Sequence, residues 1–540
     1  MITMKPLFNM KSRKVILWVV AALLLSMLFW ALAPLVRRLP PLRYDSLTLA
    51  ELREWQVKRT AGRVPKTNPA ERGRILDVNG TVLVRPGKRF VLWADPSLLA
   101  ASSDRRYLPE LARLVGMNEA VLQKQLATGP RHHLRLIPDL PPATAEAILR
   151  MNLKGISVMT VPTREYPAAA PLAHLIGFVR SGEQAIDFRG VCGVEMLHNI
   201  YLTAGVDACL TLDHGLQLAI QKIAEAAAVE TRATQVQIIV MNPRTGAIRA
   251  AVQVPSAHGS GNSSVSNREY WWGALIESHE PGGLIRPLVI ASALDIGVLG
   301  PDTPIFCENG TWQHQGLPLH DAAPFGDLTA AQVLVHSSNI GMGKIGVMMG
   351  ERPLYDALVG WELNRKCSVG FIGASSGMIL PVAWWSKHEI TRIPNGYASS
   401  STLLHLLRAY TVFFNDGGMT EPTLIEPDAP PPPKQILKPE TARWMRDTMT
   451  QAVESGTGHL ARIEGLPIAG KTSIVQKLIP NRRAYSTDKI EASFIGGFEH
   501  AGTPSLIVVW LDEPQRNGQQ NPAATAFRKT ALMMTGGSGK

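Results

Sequence analysis

Residues Val15–Val36 form a run of 22 residues without a formal charge, and no other feature constrains the chain as strongly. As a helix, about 20 apolar residues are enough to cross the hydrocarbon core of a bilayer. A secretory signal peptide carries an apolar stretch of only about 7–15 residues. Ala31-Leu32-Ala33 mimics a signal-peptidase site, but Pro34 follows it directly and makes a poor substrate after the cut. The run is therefore expected to remain as an uncleaved transmembrane helix. Lys5, Lys11, Arg13 and Lys14 precede it, while Arg37, Arg38 and Arg43 follow, so the positive-inside rule is nearly balanced. No second span of about 20 apolar residues occurs, which leaves a tail, 1–14, on one side and the whole body on the other.

At 540 residues the chain is too long for one typical domain, and two or three folded units are expected. The formal net charge is +11, and seven of the positive residues are those flanking the span. Anionic lipid headgroups account for these best. No basic patch is interleaved with aromatics, so nucleic acid is not an expected partner. Cys192, Cys209, Cys307 and Cys367 are widely spaced, without a C-x-x-C pair or metal-ligand spacing. They read as scattered thiols, with one or two disulfides as the alternative in an oxidising compartment.

Leu47–Arg59 reads as a helix leaving the membrane. Asn79-Gly80 lies between two runs of alternating apolar residues and signals a hairpin. Residues 104–153 read as amphipathic helix, with breaks near Gly129-Pro130 and Pro141-Pro142. Residues 164–178 and 193–204 read as strand and loop. Apolar residues at 216, 220, 223, 224 and 227 predict a helix over Leu216–Glu230. Strands over Val236–Met241 and Ala247–Val254 follow, joined by a turn at Asn242–Gly246. This change of pattern marks a new domain near 210–230. Pro430–Pro433 predicts a stiff surface segment. A strand over Ser505–Leu511 and a helix over Ala523–Met534 close the domain, and 536–540 reads as a disordered tail.

Several of these segments, in this order, resemble class B penicillin-binding proteins. Arg72-Gly73-x-Ile75-x-Asp77-x-Asn79-Gly80 is similar to their amino-terminal signature. Tyr166-Pro167, His174-Leu175-Ile176-Gly177 and Gly193-Val194-Glu195 resemble the rest of the amino-terminal module. Thr211-x-Asp213-x-x-Leu216-Gln217, Asn242-Pro243-x-Thr245-Gly246, Asn267-Arg268 and Glu280-Pro281-Gly282 resemble the start of the transpeptidase domain. Gly396-Tyr397 and Ala492-Ser493-Phe494-Ile495-Gly496 resemble later landmarks. Trp93-Ala94-Asp95-Pro96 and the spacing look closest to the division-specific, penicillin-binding protein 3-like members. The resemblance implies a multidomain α+β architecture. A cytoplasmic tail (1–14) and a transmembrane helix (15–36) would carry a mixed pedestal or dimerisation domain (37–215) and a transpeptidase domain (216–535) of antiparallel sheet covered by helices. It also implies an inner-membrane protein with its bulk in the periplasm, no metal or cofactor, peptidoglycan stem peptide as ligand, and glycosyltransferase or other envelope-assembly partners.

The family's reaction needs a nucleophile and a base on one helix face, supplied by Ser-x-x-Lys. Here the stretch reads Pro281-Gly282-Gly283-Leu284-Ile285-Arg286-Pro287. Gly283 stands at the serine position and offers no nucleophile. Arg286 stands at the lysine position, and arginine stays protonated in proteins. Losing such a nucleophile costs on the order of a million-fold in turnover. Ser337-Ser338-Asn339 resembles the family's Ser-x-Asn, which shuttles protons and holds the substrate amide. Ala469-Gly470-Lys471-Thr472-Ser473-Ile474 resembles the Lys-Thr-Gly-Thr strand, with Ser473 for its glycine and Ile474 for its second threonine. The oxyanion-hole donors would be the backbone N–H groups of Gly283 and Ile474, so the hole is expected to persist without a nucleophile. Arg286 is expected to fill the gap beside Gly283 and to bond Ser337 Oγ, Asn339 Oδ1 or a carbonyl. With Lys471 on the same wall, it would leave the cleft electropositive and open to an anion. Ser486-Thr487-Asp488-Lys489 matches Ser-x-x-Lys by letter but falls in a polar stretch between strands of the last sheet hairpin, and Ser278, His279 and Glu280 have ordinary loop explanations.

Three functions follow. The first is a non-catalytic scaffold or regulator. The second is an active transpeptidase or hydrolase with an atypical site. The third is a receptor that holds stem peptide without reacting.

Overall fold

The structure is a computed structural model that describes residues 71–181, 188–255, 271–427, 429, 432–479, 484–516, 518 and 520–537. The Val15–Val36 span, the Leu47–Arg59 helix, Asn267-Arg268, Pro430-Pro431 and the last three residues lie outside them. Among the described residues no helix is long and apolar enough to cross a membrane. Pro65–Lys540 forms one compact unit.

Its first part is built on a five-stranded sheet. Strand β1 (Ile75–Leu76) and β2 (Val82–Ala94) form the hairpin that Asn79-Gly80 predicts, with Leu76 opposite Val82. The turn is fastened by Asp77, whose carboxylate accepts from the N–H groups of Asn79 (2.9 Å) and Thr81 (2.7 Å). Strand β2 also pairs with β3 (Leu134–Leu140) and β4 (Ile156–Glu165), and β1 runs parallel to β5 (Ala208–Cys209).

Two readings are corrected here. Residues 104–153 are not helical throughout, because β3 separates the helices Leu108–Leu114 and Glu119–Thr128 from Pro142–Met151. Burial of Leu136 and Leu140 in a separate small core, with Leu92, Leu111 and Ile148, favours the strand over a helix. Residues 193–204 are two short helices, Gly193–Leu197 and Asn199–Thr203, and the strand expected at 164–178 lies mostly earlier, as β4.

Helix α1 (His214–Thr231) starts two residues before the apolar periodicity does, because Asp213 caps it by accepting from Leu216 N at 3.0 Å. Then come β6 (Gln235–Met241) and β7 (Ile248–Pro255), followed much later in the chain by β8 (Ala469–Leu478), β9 (Tyr485–His500) and β10 (Thr503–Asp512). They form one antiparallel sheet in the order β8-β9-β10-β6-β7, so β8 is an edge strand. One face packs on α1 and α2 (Pro522–Met534), where Ile220, Ala224, Val509, Phe494 and Phe527 meet. The other face packs on the remaining helices through Ile239, Ala251, Ile495, Val508, Leu288 and Tyr410. This second core also takes in Ile75, Leu83 and Leu175 of the first part, so one apolar interior runs from the amino-terminal sheet to the cleft. None of the four cysteines is joined in a disulfide, which removes that alternative.

Candidate active site

Three segments meet at the open side of β8. The first is a single 3-10 turn, Gly282–Ile285, running straight into the helix Arg286–Asp295. Pro287 suits that helix start because its missing N–H would be unpaired there in any case. Gly282 takes φ +51°, its N–H donates to Gly396 O at 3.2 Å, and Tyr410 OH donates to Leu284 O at 2.8 Å. The second segment is the junction of the helices Ala330–His336 and Asn339–Met349. Thr329 and Gln332 form a capping box at its start, and Ser337 ends the first helix in the left-handed region at φ +58°. Asp321 holds the second helix start, accepting from Asn339 N at 2.5 Å, Ile340 N at 3.1 Å and Ser338 Oγ at 2.6 Å. The third segment is β8 itself, whose alternation buries Lys471 and Ser473 and turns Ile474 out, 37% exposed.

The structure brings Arg286, Ser337, Asn339, Lys471 and Thr472 together. Arg286 Nη1 donates to Ser337 O (2.5 Å) and Ser337 Oγ (2.8 Å), and Nη2 donates to Asn339 Oδ1 (2.5 Å). These are the partners the sequence reading names. Lys471 Nζ donates to the same Ser337 Oγ (3.0 Å) and to Thr472 O (3.2 Å). Thr472 Oγ1 donates in turn to Thr457 Oγ1 at 3.1 Å. Arg286 is 6% exposed and Lys471 1%. Burial, partly offset by the charges of Tyr397 and Asp321, lowers Arg286 to about 10, which still leaves it a cation at neutral pH. Burial, and then the Arg286 charge, holds Lys471 well below the usual lysine range. The carboxylate of Asp321 points at the helix start, and no ion pair joins either cation to an acid among the described residues.

Gly283 and Ser473 form a second contact between the turn and β8. Gly283 N–H donates to Ser473 Oγ at 2.9 Å, and that hydroxyl donates to Pro281 O at 3.2 Å. Two expectations fail at this point. The space of the missing hydroxymethyl group is not empty, since a Cβ on Gly283 would lie 2.7 Å from Thr472 O. Nor does the oxyanion hole stand open, since one of its two expected donors is already bonded. The strand has closed against the turn.

The remaining candidates lie elsewhere or act otherwise. Ser486–Lys489 is on β9 rather than between strands, with Ser486 Oγ accepting from Lys489 N (3.0 Å) and Lys489 Nζ donating to Glu513 (2.9 Å). Ser278 Oγ is bonded to Ser375 Oγ at 2.7 Å. His279 and Glu280 do more than cap a loop. His279 pairs with Glu491 at 3.1 Å, and although burial opposes its charge, the carboxylate raises its pKa. Glu280 accepts from Ala398 N (3.0 Å) and Tyr485 OH (3.0 Å), and burial raises it. Sequence reasoning missed Asp321, Thr457 and Tyr485, which carry no spacing signal and reach the cleft only through the fold. Among the described residues no group of three or more His, Cys, Asp or Glu is placed to hold a metal ion.

Residues 236–531 match the penicillin binding protein transpeptidase domain, and residues 67–190 match the penicillin-binding protein dimerisation domain. The chain belongs to the penicillin-binding protein family, in its class B, penicillin-binding protein 3-like group. It is 28% identical over 480 residues to the probable peptidoglycan D,D-transpeptidase PbpC of Pseudomonas aeruginosa, covering 83% of each chain. It is 25% identical over 495 residues to the peptidoglycan D,D-transpeptidase FtsI of Escherichia coli, covering 86% of this chain and 82% of the relative. The transpeptidase domain of penicillin-binding protein 3 from Burkholderia pseudomallei superimposes with TM-score 0.54 at 27% identity, over 60% of this chain and 96% of that one. A peptidoglycan synthetase from Bifidobacterium adolescentis shares the fold with TM-score 0.65 at 20% identity, over 86% of this chain and 94% of that one.

Proposed function

We propose that this protein is a membrane-anchored penicillin-binding protein without transpeptidase activity, serving peptidoglycan synthesis or cell division as a scaffold or regulator. The single observation that carries the reading is the pair at the reacting positions. Gly283 has no side chain to acylate, and the Arg286 guanidinium, a permanent cation, is already committed to Ser337 and Asn339. The fold around the pair is complete, so the chain keeps a shape that relatives use for chemistry while lacking the reacting groups. The Val15–Val36 run supports an inner-membrane anchor, with the body in the periplasm. The span and the pedestal, 37–215, are the surfaces for glycosyltransferase or other envelope partners, and 216–535 is the transpeptidase-like domain. Full-length protein treated with a fluorescent penicillin should carry no label after denaturing electrophoresis. A specific, stoichiometric band would refute the reading.

Each alternative has one observation in its favour. For an atypical enzyme it is the 3.0 Å contact of Ser337 Oγ with Lys471, a buried lysine with a depressed pKa. Against this, Ser337 Oγ also accepts from the Arg286 guanidinium, a cation that draws electron density from the oxygen and leaves a poor nucleophile. For a stem-peptide receptor it is the two buried basic side chains, Arg286 and Lys471, with no bonded acid, which suit a terminal carboxylate. Saturable binding of a D-Ala-D-Ala peptide, without covalent labelling, would support the receptor.

A further inference from the structure

We infer that Ser473 plugs the oxyanion hole from within, as an obstacle to acyl chemistry separate from the missing serine and lysine. The inference rests on reading Gly283 as the nucleophile position. An oxyanion hole works because preorganised N–H donors point at the place where negative charge develops. A donor that already holds a hydroxyl oxygen is not available for that task. Gly283 N–H is in that state, 2.9 Å from Ser473 Oγ.

The hydroxyl is not a passing rotamer on an open surface. Its own proton goes to Pro281 O at 3.2 Å, so donor and acceptor are both used on the same turn. Ser473 is 3% exposed. Its backbone is fixed from the other side, because Asn521 Nδ2 donates to Ser473 O at 3.1 Å and to Ser493 O at 3.2 Å. The latch draws β8 against the 282–285 turn, which explains why a Cβ on Gly283 would meet Thr472 O at 2.7 Å. A glycine at 473 would have no atom to place there. The hydroxyl thus does two things: it occupies one donor of the hole and it narrows the cleft where an acyl carbonyl would enter.

Deuterium uptake by peptides spanning 281–286 tests the latch in the full-length protein. The Ser473→Ala variant should exchange one amide in this segment roughly five- to tenfold faster than wild type, and Ser473→Thr, which keeps the hydroxyl, should restore the slow rate. Equal uptake in wild type and Ser473→Ala would overturn the latch. A second arm asks about chemistry. The triple variant Gly283→Ser, Arg286→Lys, Ser473→Gly should take up fluorescent penicillin about a hundredfold faster than the double variant that keeps Ser473. Equal labelling of the two variants, at any level including none, would contradict the plug. Labelling of the wild-type chain would remove the non-catalytic reading instead, while the exchange experiment would still decide what Ser473 does.

Discussion

The amino-terminal part and the cleft each bury two basic side chains side by side, and they surround them in opposite ways. In the first, Glu195 is fully buried between Arg72 and Arg164, accepting from Arg72 Nε at 2.8 Å and Arg164 Nε at 2.7 Å. Arg72 adds bonds to Glu195 O (2.8 Å) and Asn199 Oδ1 (3.0 Å). In the second, Arg286 and Lys471 share one neutral hydroxyl, with no acid between them. A buried cation that supports a fold is given an anion, since leaving it unpaired costs several kcal/mol. The cleft does not follow that rule. On the proposed function, this arrangement is a remnant of a reacting site or a seat for an anion, rather than a device for stability.

The largest effect should come from breaking the compensated cluster. Glu195→Ala leaves two buried guanidiniums facing each other and should cost about 3–5 kcal/mol in chemical denaturation. A loss below 1 kcal/mol would mean that the cluster is no better compensated than the cleft. Next comes the closed side of the cleft. Gly283→Ala places a Cβ against Thr472 O and should cost about 1–3 kcal/mol by overpacking, although alanine is the better helix former. A stabilised variant would show that the turn has room after all.

Lys471→Met should run the other way, from no change to a gain of about 1–2 kcal/mol, because it removes a buried basic group that no acid compensates. Its pH dependence has a definite sign. Lys471 titrates lower folded than unfolded, so in the window between its depressed folded pKa and about 10.4 the unfolded chain binds more protons. Stability contributed by this residue should therefore rise with pH across that window, and the slope should be missing from Lys471→Met. Equal slopes in the two proteins would place the titration elsewhere. The smallest effect belongs to Ile474→Thr, which restores the family's threonine at a side chain 37% exposed and should change stability by less than about 0.5 kcal/mol.

How much of this was legible in the sequence depends on whether one residue or several carry the signal. The α1 helix was legible because Asp213 and the apolar spacing are local. The frame of the cleft was legible because Pro281, Pro287, Ser337 and Lys471 stand in a familiar order. Strand β3 was misread because Gly129-Pro130 and Pro141-Pro142 look like breaks within one amphipathic helical stretch, and only pairing with β2 decides the matter. The destination of the Ser473 hydroxyl was not legible at all. The letters show a serine where the family has glycine, but whether it points to solvent or to Gly283 depends on how closely an edge strand approaches a turn 190 positions away. Asp321 escaped for the same reason, since its partners lie 17 to 19 positions further along the chain.

The central claim is that no side chain in this cleft forms an acyl-enzyme. Intact mass spectrometry of the full-length wild-type protein, after prolonged exposure to excess benzylpenicillin, asks that question directly. The protein mass should be unchanged. A species heavier by one antibiotic molecule would contradict the non-catalytic reading, and an adduct lost in Ser337→Ala would identify Ser337 as the nucleophile.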